Sequence, residues 1–305
     1  MNDGTDFRCG FAALLGRPNV GKSSIINALL KEKVAAVSPK PQTTRNAVRC
    51  IYTSEHEQII FVDTPGVHAP KHALGEFMMK EAEESLMTVD AVCYVVEAQD
   101  RSVSEKDAAV LKMLEAMPLP VVLAVNKTDK SASPGDYKKA ADVYRKFIKP
   151  AAVVPLSAKN GSGLEELASA ISALLPQQPA VYDEDVLMDT TERFLAAEII
   201  REKILLHTQE EVPHSVAVVI DEFKNPEEYP ELKICTIRAT IIADRQGQKG
   251  IIIGKSGSML RRIGSDAREE LEKRMGQKVF LQLWVKVKPD WRKSPEELRR
   301  IGYVN

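Results

Sequence analysis

Apolar and polar positions follow one another in two rhythms along the first part of the chain. Phe11–Leu15, Gln58–Val62, Ala91–Val96, Val121–Val125 and Ala152–Pro155 are short, nearly unbroken apolar runs. Between them, in Ser23–Leu30, Gly75–Thr88, Ser104–Met117 and Gly163–Leu175, apolar residues recur every three or four positions. Runs apolar at every position suit strands buried on both faces, and the intervening period suits amphipathic helices. The pattern predicts a mostly parallel sheet with helices on both faces.

The rhythm breaks at LPQQPAVYDEDVLMDT, whose prolines, glutamines and acids read as a linker. This sets one domain over residues 1–178, a linker over 179–190 and a second domain over 191–305. The second domain opens with a helix over Glu192–His207, with Phe194, Leu195, Ile199 and Leu206 at helical spacing. Strands follow at Ser215–Phe223 and Lys233–Ala243, separated by the turn-rich KNPEEYPE. Gly250–Ile253 reads as a short apolar turn leading into a helix over Ser258–Met275. A strand at Lys278–Val287 and a short helix after Ser294–Pro295 complete an α+β order.

Composition narrows the class. A chain of 305 residues with 44% hydrophobic and 28% charged residues is globular, which excludes a disordered or collagen-like polymer. Cys9, Cys50, Cys93 and Cys235 form no CxxC pair, so neither a disulfide framework nor a zinc module is expected, and a reducing cytoplasm fits. The amino terminus shows no signal-peptide pattern, and the longest apolar runs are far too short to span a membrane. The net charge of −1 hides a division. Residues 1–180 carry 21 basic and 21 acidic side chains, residues 181–231 carry 4 and 14, and residues 232–305 carry 17 and 8. A basic carboxyl-terminal third is suited to phosphate backbones or to a solvated face. The acidic stretch is read as a solvated linker and helix face, with RNA mimicry as the alternative.

Gly16-Arg17-Pro18-Asn19-Val20-Gly21-Lys22-Ser23, followed by Ser24, fits GxxxxGK(S/T) between an apolar strand and a helix. Glycines in such a loop let backbone N–H groups surround phosphate oxygens at a helix amino terminus. Lys22 supplies charge near the β- and γ-phosphates, and the Ser23 hydroxyl is placed for Mg²⁺. Gly254-Lys255-Ser256 repeats the letters GKS, but Lys249 stands where the first glycine belongs, so it is no second nucleotide loop.

Asp63-Thr64-Pro65-Gly66 follows the strand run QIIFV. There Asp63 is expected to hold Mg²⁺ through water, and the Gly66 N–H to sense a γ-phosphate. Asn126-Lys127-Thr128-Asp129 follows VVLAV, and the Asp129 carboxylate can pair with two guanine N–H groups that adenine lacks. Ser157-Ala158-Lys159 completes this site, with the Ala158 N–H supporting the guanine carbonyl. The ordered set resembles a translation-factor-class GTPase. That resemblance implies a mobile threonine reaching Mg²⁺ from PQTTR, with Thr44 preferred and Thr43 the alternative. Val67 stands where many GTPases place a water-orienting glutamine, which implies slow or assisted hydrolysis. Asn19 resembles the asparagine that positions K⁺ in some relatives, bracing of the loop being the other reading. His68 and His72 receive no role.

In the basic third, Gly254-Lys255-Ser256-Gly257 resembles the GxxG loop of a KH domain, which clamps about four single-stranded nucleotides. Lys255, Arg261, Arg262 and Arg268 surround it with charge, and Ile251–Ile253 offer an apolar floor for bases. Trp284 in VFLQLWVKV is read as a packed core or sheet-face residue, with base stacking the alternative; Trp291 suits either role.

Together, GRPNVGKS, PQTTRN, DTPGV, NKTD and SAK followed by QGQKGIIIGKSGSMLRRIG and VKVKPDWR resemble the Era family of bacterial GTPases over nearly the whole chain. The resemblance implies an α/β P-loop GTPase domain followed by an α+β type II KH domain. It implies GTP/GDP and Mg²⁺ as cofactors, with K⁺ as a further candidate. Its implied partners are the 3′ region of small-subunit ribosomal RNA and the small ribosomal subunit, with a role in subunit assembly. It also implies a monomer in the cytoplasm with peripheral association at the inner face of the cell membrane. The alternative is a membrane-surface or cell-cycle signalling GTPase whose basic module binds anionic lipid or protein.

Overall fold

The computed structural model describes residues 7–37, 40, 43–66, 72–133 and 135–303. The chain divides into two compact units, with the main boundary between Asp189 and Thr190 and with His72–Leu74 grouped in the second. In the first unit, β1 (Arg8–Leu15), α1 (Lys22–Leu30), β2 (Val48–Thr53), β3 (Glu57–Asp63), α2 (Ala73–Leu86) and β4 (Ala91–Glu97) are followed by α3 (Glu105–Glu115), β5 (Val121–Asn126), α4 (Asp136–Tyr144), β6 (Ala152–Pro155), α5 (Leu164–Ser172) and β7 (Met188–Asp189). The strands form one sheet in the order β6-β5-β4-β1-β3-β2-β7. β6, β5, β4, β1 and β3 run parallel to one another, while β2 pairs antiparallel with β3 on one side and with β7 on the other.

Both sheet faces are covered, as continuous apolar strands require. Ala12, Leu14, Cys93 and Val95 pack with Ile25, Ile26 and Leu29 of α1 and Leu167 and Ile171 of α5. On the other face Ala13, Leu15, Val92 and Tyr94 pack with Leu86, Val110, Leu114 and Tyr144 from α2, α3 and α4. Parallel strands bring their carboxyl ends to one edge of the sheet, where ligands of open α/β sheets bind. Leu15, Asp63 and Asn126 end β1, β3 and β5 there.

The stretch expected to be a free linker is held against this unit. Val181 N and Tyr182 N donate to the buried Gln58 Oε1 at 2.8 and 2.9 Å, and Gln58 Nε2 donates to Tyr182 O at 2.8 Å. Met188 and Asp189 then pair with Cys50 and Arg49 of β2. A buried amide able to donate and accept at once outweighs the loop-like composition of the segment.

The second unit runs α6 (Glu192–His207), β8 (Val216–Lys224), β9 (Cys235–Ala243), α7 (Gln246–Ile253), α8 (Ser258–Met275), β10 (Val279–Val287) and α9 (Pro295–Ile301). Its sheet has the order β10-β9-β8, with β10 parallel and β8 antiparallel to β9. Ile199, Ile200 and Ile204 of α6 and Ile263, Ala267 and Leu271 of α8 pack on Ile237, Ala239 and Ile241. Two expectations change. The buried stripe of α6 runs through Ala196, Ile199, Ile200, Ile204 and Leu205, and Leu206 faces solvent. Gly250–Ile253 belongs to helix α7, which buries Ile252 in the core, so packing overrides the strand preference of β-branched isoleucine.

Candidate functional site

The phosphate loop turns between β1 and α1. Gly21 adopts φ 104°, a left-handed conformation, and a Cβ there would lie 2.4 Å from Asn126 Nδ2, so only glycine fits. Lys22 is buried, and its Nζ donates to Gly16 O at 3.0 Å and Arg17 O at 3.4 Å, which places its charge inside the loop. Burial pushes the Lys22 ammonium down to about 8, against the opposing pull of Asp63. A cavity of about 330 Å³ opens beside it, lined by Pro18, Asn19, Gly21, Ser23, Ser24, Thr43, Thr44, Gly66 and Lys127. Gly66 closes against the loop, and a Cβ there would approach Pro18 Cγ to 2.9 Å.

Ser23, Thr44 and Asp63 converge at one end of this cavity. Ser23 Oγ donates to Asp63 Oδ2 at 2.7 Å, Thr44 Oγ1 donates to the same oxygen at 3.0 Å, and the two hydroxyls lie 3.2 Å apart. Thr43 points elsewhere, its Oγ1 donating to Lys40 O at 2.8 Å. Asp63 is 1% exposed, and its Oδ1 is buried with no hydrogen-bond partner. Burial pushes its carboxyl pKa up, opposed by Lys22 and by the Ser23 and Thr44 hydroxyls. A buried carboxylate oxygen without a partner, beside two hydroxyls, is a donor set that fits Mg²⁺. This hard ion takes a few protein oxygens and fills its octahedron with phosphates and water. Among the described residues no cluster of three or more His, Cys, Asp or Glu side chains could hold a metal instead.

The base motif is cross-braced to the phosphate loop. Asn126 Nδ2 donates to Val20 O at 2.8 Å, while its Oδ1 accepts from Lys127 N at 2.7 Å and Ala158 N at 3.1 Å. Lys127 Nζ donates to Asn19 O at 2.6 Å. Thr128 Oγ1 donates to Leu156 O at 3.0 Å, and Ser157 Oγ donates to Asp129 Oδ1 at 2.6 Å, fixing the rotation of that exposed carboxylate. Thr64 serves the sheet, its hydroxyl donating to Leu14 O at 2.6 Å. Asn19 has φ 68° and Lys159 is exposed; Val67 lies outside the described residues.

In the second unit, Gly254 joins α7 to α8 with φ 71° and ψ 176°, a region essentially reserved for glycine. A Cβ there would lie 2.7 Å from Met259 Cβ and 2.8 Å from Met259 N. Lys255 and Ser256 are exposed, and Gly257 caps α8 in the left-handed region with open space around it. Below the loop a cleft of about 430 Å³ runs between α8 and β10, lined by Leu260, Arg261, Gly264, Arg268, Leu281 and Leu283. Arg262 is exposed on α8 but does not line the cleft. Trp291 is fully buried, donates its Nε1–H to Ser215 O at 3.1 Å and stacks on Tyr303, so its role is structural.

Comparison with known proteins decides the family. The family model for 50S ribosome-binding GTPases matches residues 11–127, and that for KH domains matches residues 211–292. A point variant of Era from Aquifex aeolicus bound to GDP and AlF4⁻ is 39% identical, covering 98% of this chain and 100% of its own, with a TM-score of 0.91. A structure of Era with MgGDPNP and nucleotides 1506–1542 of 16S ribosomal RNA matches at 39% identity and TM-score 0.92, with the same coverage. The chain belongs to the Era family. Its first unit is a P-loop GTPase domain and its second a KH domain.

Several groups that shape this Era site carry no motif of their own. Arg17, a loop residue by sequence, turns its side chain away from the cavity to Asp100 at 2.8 Å, Asp107 at 3.1 Å and Tyr144 at 3.3 Å. Burial works against the Arg17 charge, and Asp100 and Asp107 more than offset it, raising its pKa. Glu97 bonds Lys127 Nζ at 2.5 Å and so stands behind the base motif. Asn27 accepts from Val34 N and Ala35 N, which fixes the chain just before Ala36 and Val37 enter the cavity wall. Leu260, Gly264, Leu281 and Leu283 of the KH cleft are spread over two elements, and only the folded arrangement assembles them.

Proposed function

We propose that this chain is a GTP-hydrolysing switch that binds single-stranded ribosomal RNA near the 3′ end of the small-subunit molecule and assists small-subunit assembly. The observation that carries the nucleotide half is the convergence of Ser23, Thr44 and the unpartnered Asp63 Oδ1 beside Lys22. Bound Mg²⁺ supplies charge neutralisation at the β- and γ-phosphates. Lys22 binds the same phosphates, the P-loop N–H groups from Gly16 to Ser24 orient them, and the Gly66 N–H senses the terminal one. Thr44 couples the loop that carries it to the presence of that phosphate, an order–disorder switch. Asp129, Asn126 and Ala158 select guanine. Asn19 either positions K⁺ or braces the loop, and hydrolysis compared in K⁺ and Na⁺ separates the two.

The RNA half rests on the Gly254–Gly257 loop above a cleft with cationic and apolar walls, and on the ribosomal RNA in the complex of the similar Era. Glycine loops of this kind admit the phosphate backbone while bases enter the cleft. No helix among the described residues is long and apolar enough to cross a membrane. The chain works in the cytoplasm, with peripheral contact at the inner membrane face as its second location. GTP turnover and binding of 3′-end ribosomal RNA by the full chain test the reading. Lys22→Ala is expected to abolish turnover, and Asp at positions 254 and 257 to abolish RNA binding. Normal turnover in the first variant would remove the mechanism, and normal RNA affinity in the second would remove the KH assignment.

A further inference from the structure

Strand β10 has two faces with different fates. Val279, Leu281, Leu283 and Val285 turn toward the core, whereas Phe280, Gln282, Trp284 and Lys286 alternate onto the opposite face. Phe280 is 44% and Trp284 45% exposed, so both rings present area to solvent. Four residues apart, they stand about 13 Å from one another along the strand. Between them Gln282 lies opposite Arg238 of β9, and Arg238 Nε donates to Gln282 Oε1 at 3.1 Å. The Arg238 guanidinium also pairs with Glu222 at 2.9 Å, and Lys286 is exposed just beyond Trp284.

Place and chemistry point to one occupant. β10 is one of the two edge strands of its sheet, and Leu281 and Leu283 on its other face wall the KH cleft. A strand of RNA that leaves the cleft over this edge meets Phe280 and Trp284. A membrane or a protein hot spot calls for a continuous apolar patch, but here the rings are separated by an amide and bordered by the exposed Lys286 and the Glu222-paired Arg238. Isolated aromatic faces beside positive charge are the recurring design for stacking single-stranded bases.

We propose that Phe280 and Trp284 form a stacking platform that extends the KH cleft, holding single-stranded RNA that continues past the nucleotides bound there. The inference rests on the cleft being the RNA site, and the test separates the two. Tryptophan emission of the full chain is followed while RNA from the 3′ end of small-subunit ribosomal RNA is added. One RNA has about five nucleotides, enough for the cleft, and the other about twelve, enough for cleft and platform. Because Trp291 is fully buried, quenching reports Trp284. The longer RNA is expected to quench and the shorter one not. Trp284→Ala should weaken the longer RNA at least about fivefold, the low end of a lost stacking contact. Its affinity for the shorter RNA and its GTP turnover should stay unchanged. Trp284→Phe should keep most of the affinity while removing the quench. Wild-type affinity for the longer RNA in a Phe280→Ala/Trp284→Ala variant would overturn the platform, as would equal loss of both RNAs. Quenching by anionic phosphatidylglycerol vesicles in place of RNA would overturn it too. If Gly254→Asp/Gly257→Asp leaves the shorter RNA bound, the cleft reading fails, and quenching by the longer RNA still judges the platform.

Discussion

Removing the Asn126 side chain is the most informative single perturbation of the nucleotide site. Asn126 is 2% exposed and joins the P-loop, the base motif and the Ser157–Lys159 loop through hydrogen bonds to Val20 O, Lys127 N and Ala158 N. Asn126→Ala deletes these bonds together. At about 1 kcal/mol net each, and more where a buried partner stays unpaired, the loss comes to about 3 kcal/mol. If the loops relax only in the nucleotide-bound arrangement, that is about a 100-fold loss in GDP affinity. Titration calorimetry with GDP reads it, and thermal unfolding of the nucleotide-free chain reads any share taken from stability. Asn126→Asp keeps both acceptor contacts but sets a carboxylate against Val20 O, so it should fall between wild type and Asn126→Ala. Gly21→Ala would drive a Cβ to 2.4 Å from Asn126 Nδ2, and deleting that amide vacates the space. The double variant should therefore lose less than the sum of the single variants. GDP affinity within about threefold of wild type together with unchanged thermal unfolding in Asn126→Ala, against the roughly 100-fold expected for lost buried bonds, would refute the bracing role; strict additivity would refute the steric link.

Other outcomes follow from the same geometry. Asp129→Asn replaces an acceptor with a donor and should shift preference from GTP toward XTP in a competition assay; retained GTP preference contradicts the guanine pairing. Thr44→Ala should weaken the Mg²⁺ dependence of GTP-analogue binding and Thr43→Ala should not, because only Thr44 meets Asp63; equal effects would contradict the assignment. Gly257→Asn should preserve folding and most RNA binding, since the left-handed region tolerates Asn and nothing lies within 4 Å. Gly254→Asn meets Met259 and a backbone region closed to it, so RNA binding should be lost; equal binding by the two would contradict the loop geometry. Lys22 in the nucleotide-free fold releases its proton near 8, whereas the unfolded chain holds it to about 10.5. In that window the unfolded state binds more protons, so this group's contribution to stability rises with pH, and GDP binding takes up a proton. Calorimetry at about pH 9 in buffers of different ionisation heat should register this uptake, and its absence would contradict the downward shift that burial imposes on Lys22.

The parts of the fold that could be read from the sequence are those where one physical demand acts alone. The central strands are apolar on every position because both faces are covered, so β1, β4 and β5 stood out. What stayed hidden depends on partners distant in sequence. β2 carries the exposed Arg49 and lies antiparallel near the sheet edge, where burial imposes no continuous apolar run. α4 buries Asp136, Ala140, Ala141 and Tyr144, a face of small and polar residues that a search for large apolar side chains passes over. β7 exists because β2 receives it, and α7 because Ile252 is buried despite a run of isoleucines. The site divides in the same way. Phosphate, metal and base residues stand in motifs because ligand geometry constrains neighbouring positions together. Asn27, Glu97, Asp100, Asp107 and Tyr144 support them one contact at a time and leave no pattern. Thr43 and Thr44 offer the same chemistry; the family resemblance prefers Thr44, and the structure sets the Thr44 hydroxyl on Asp63 and the Thr43 hydroxyl on Lys40 O.

The central claim is that nucleotide state governs contact with one region of ribosomal RNA, and crosslinking the full chain to small-subunit ribosomal RNA tests it most directly. With a non-hydrolysable GTP analogue bound, crosslinks are expected at the 3′ end of that RNA, originating from the Gly254–Gly257 loop and the α8–β10 cleft. With GDP bound they should weaken. Crosslinks of equal strength in both states, or scattered along the RNA without preference for its 3′ end, would contradict the account.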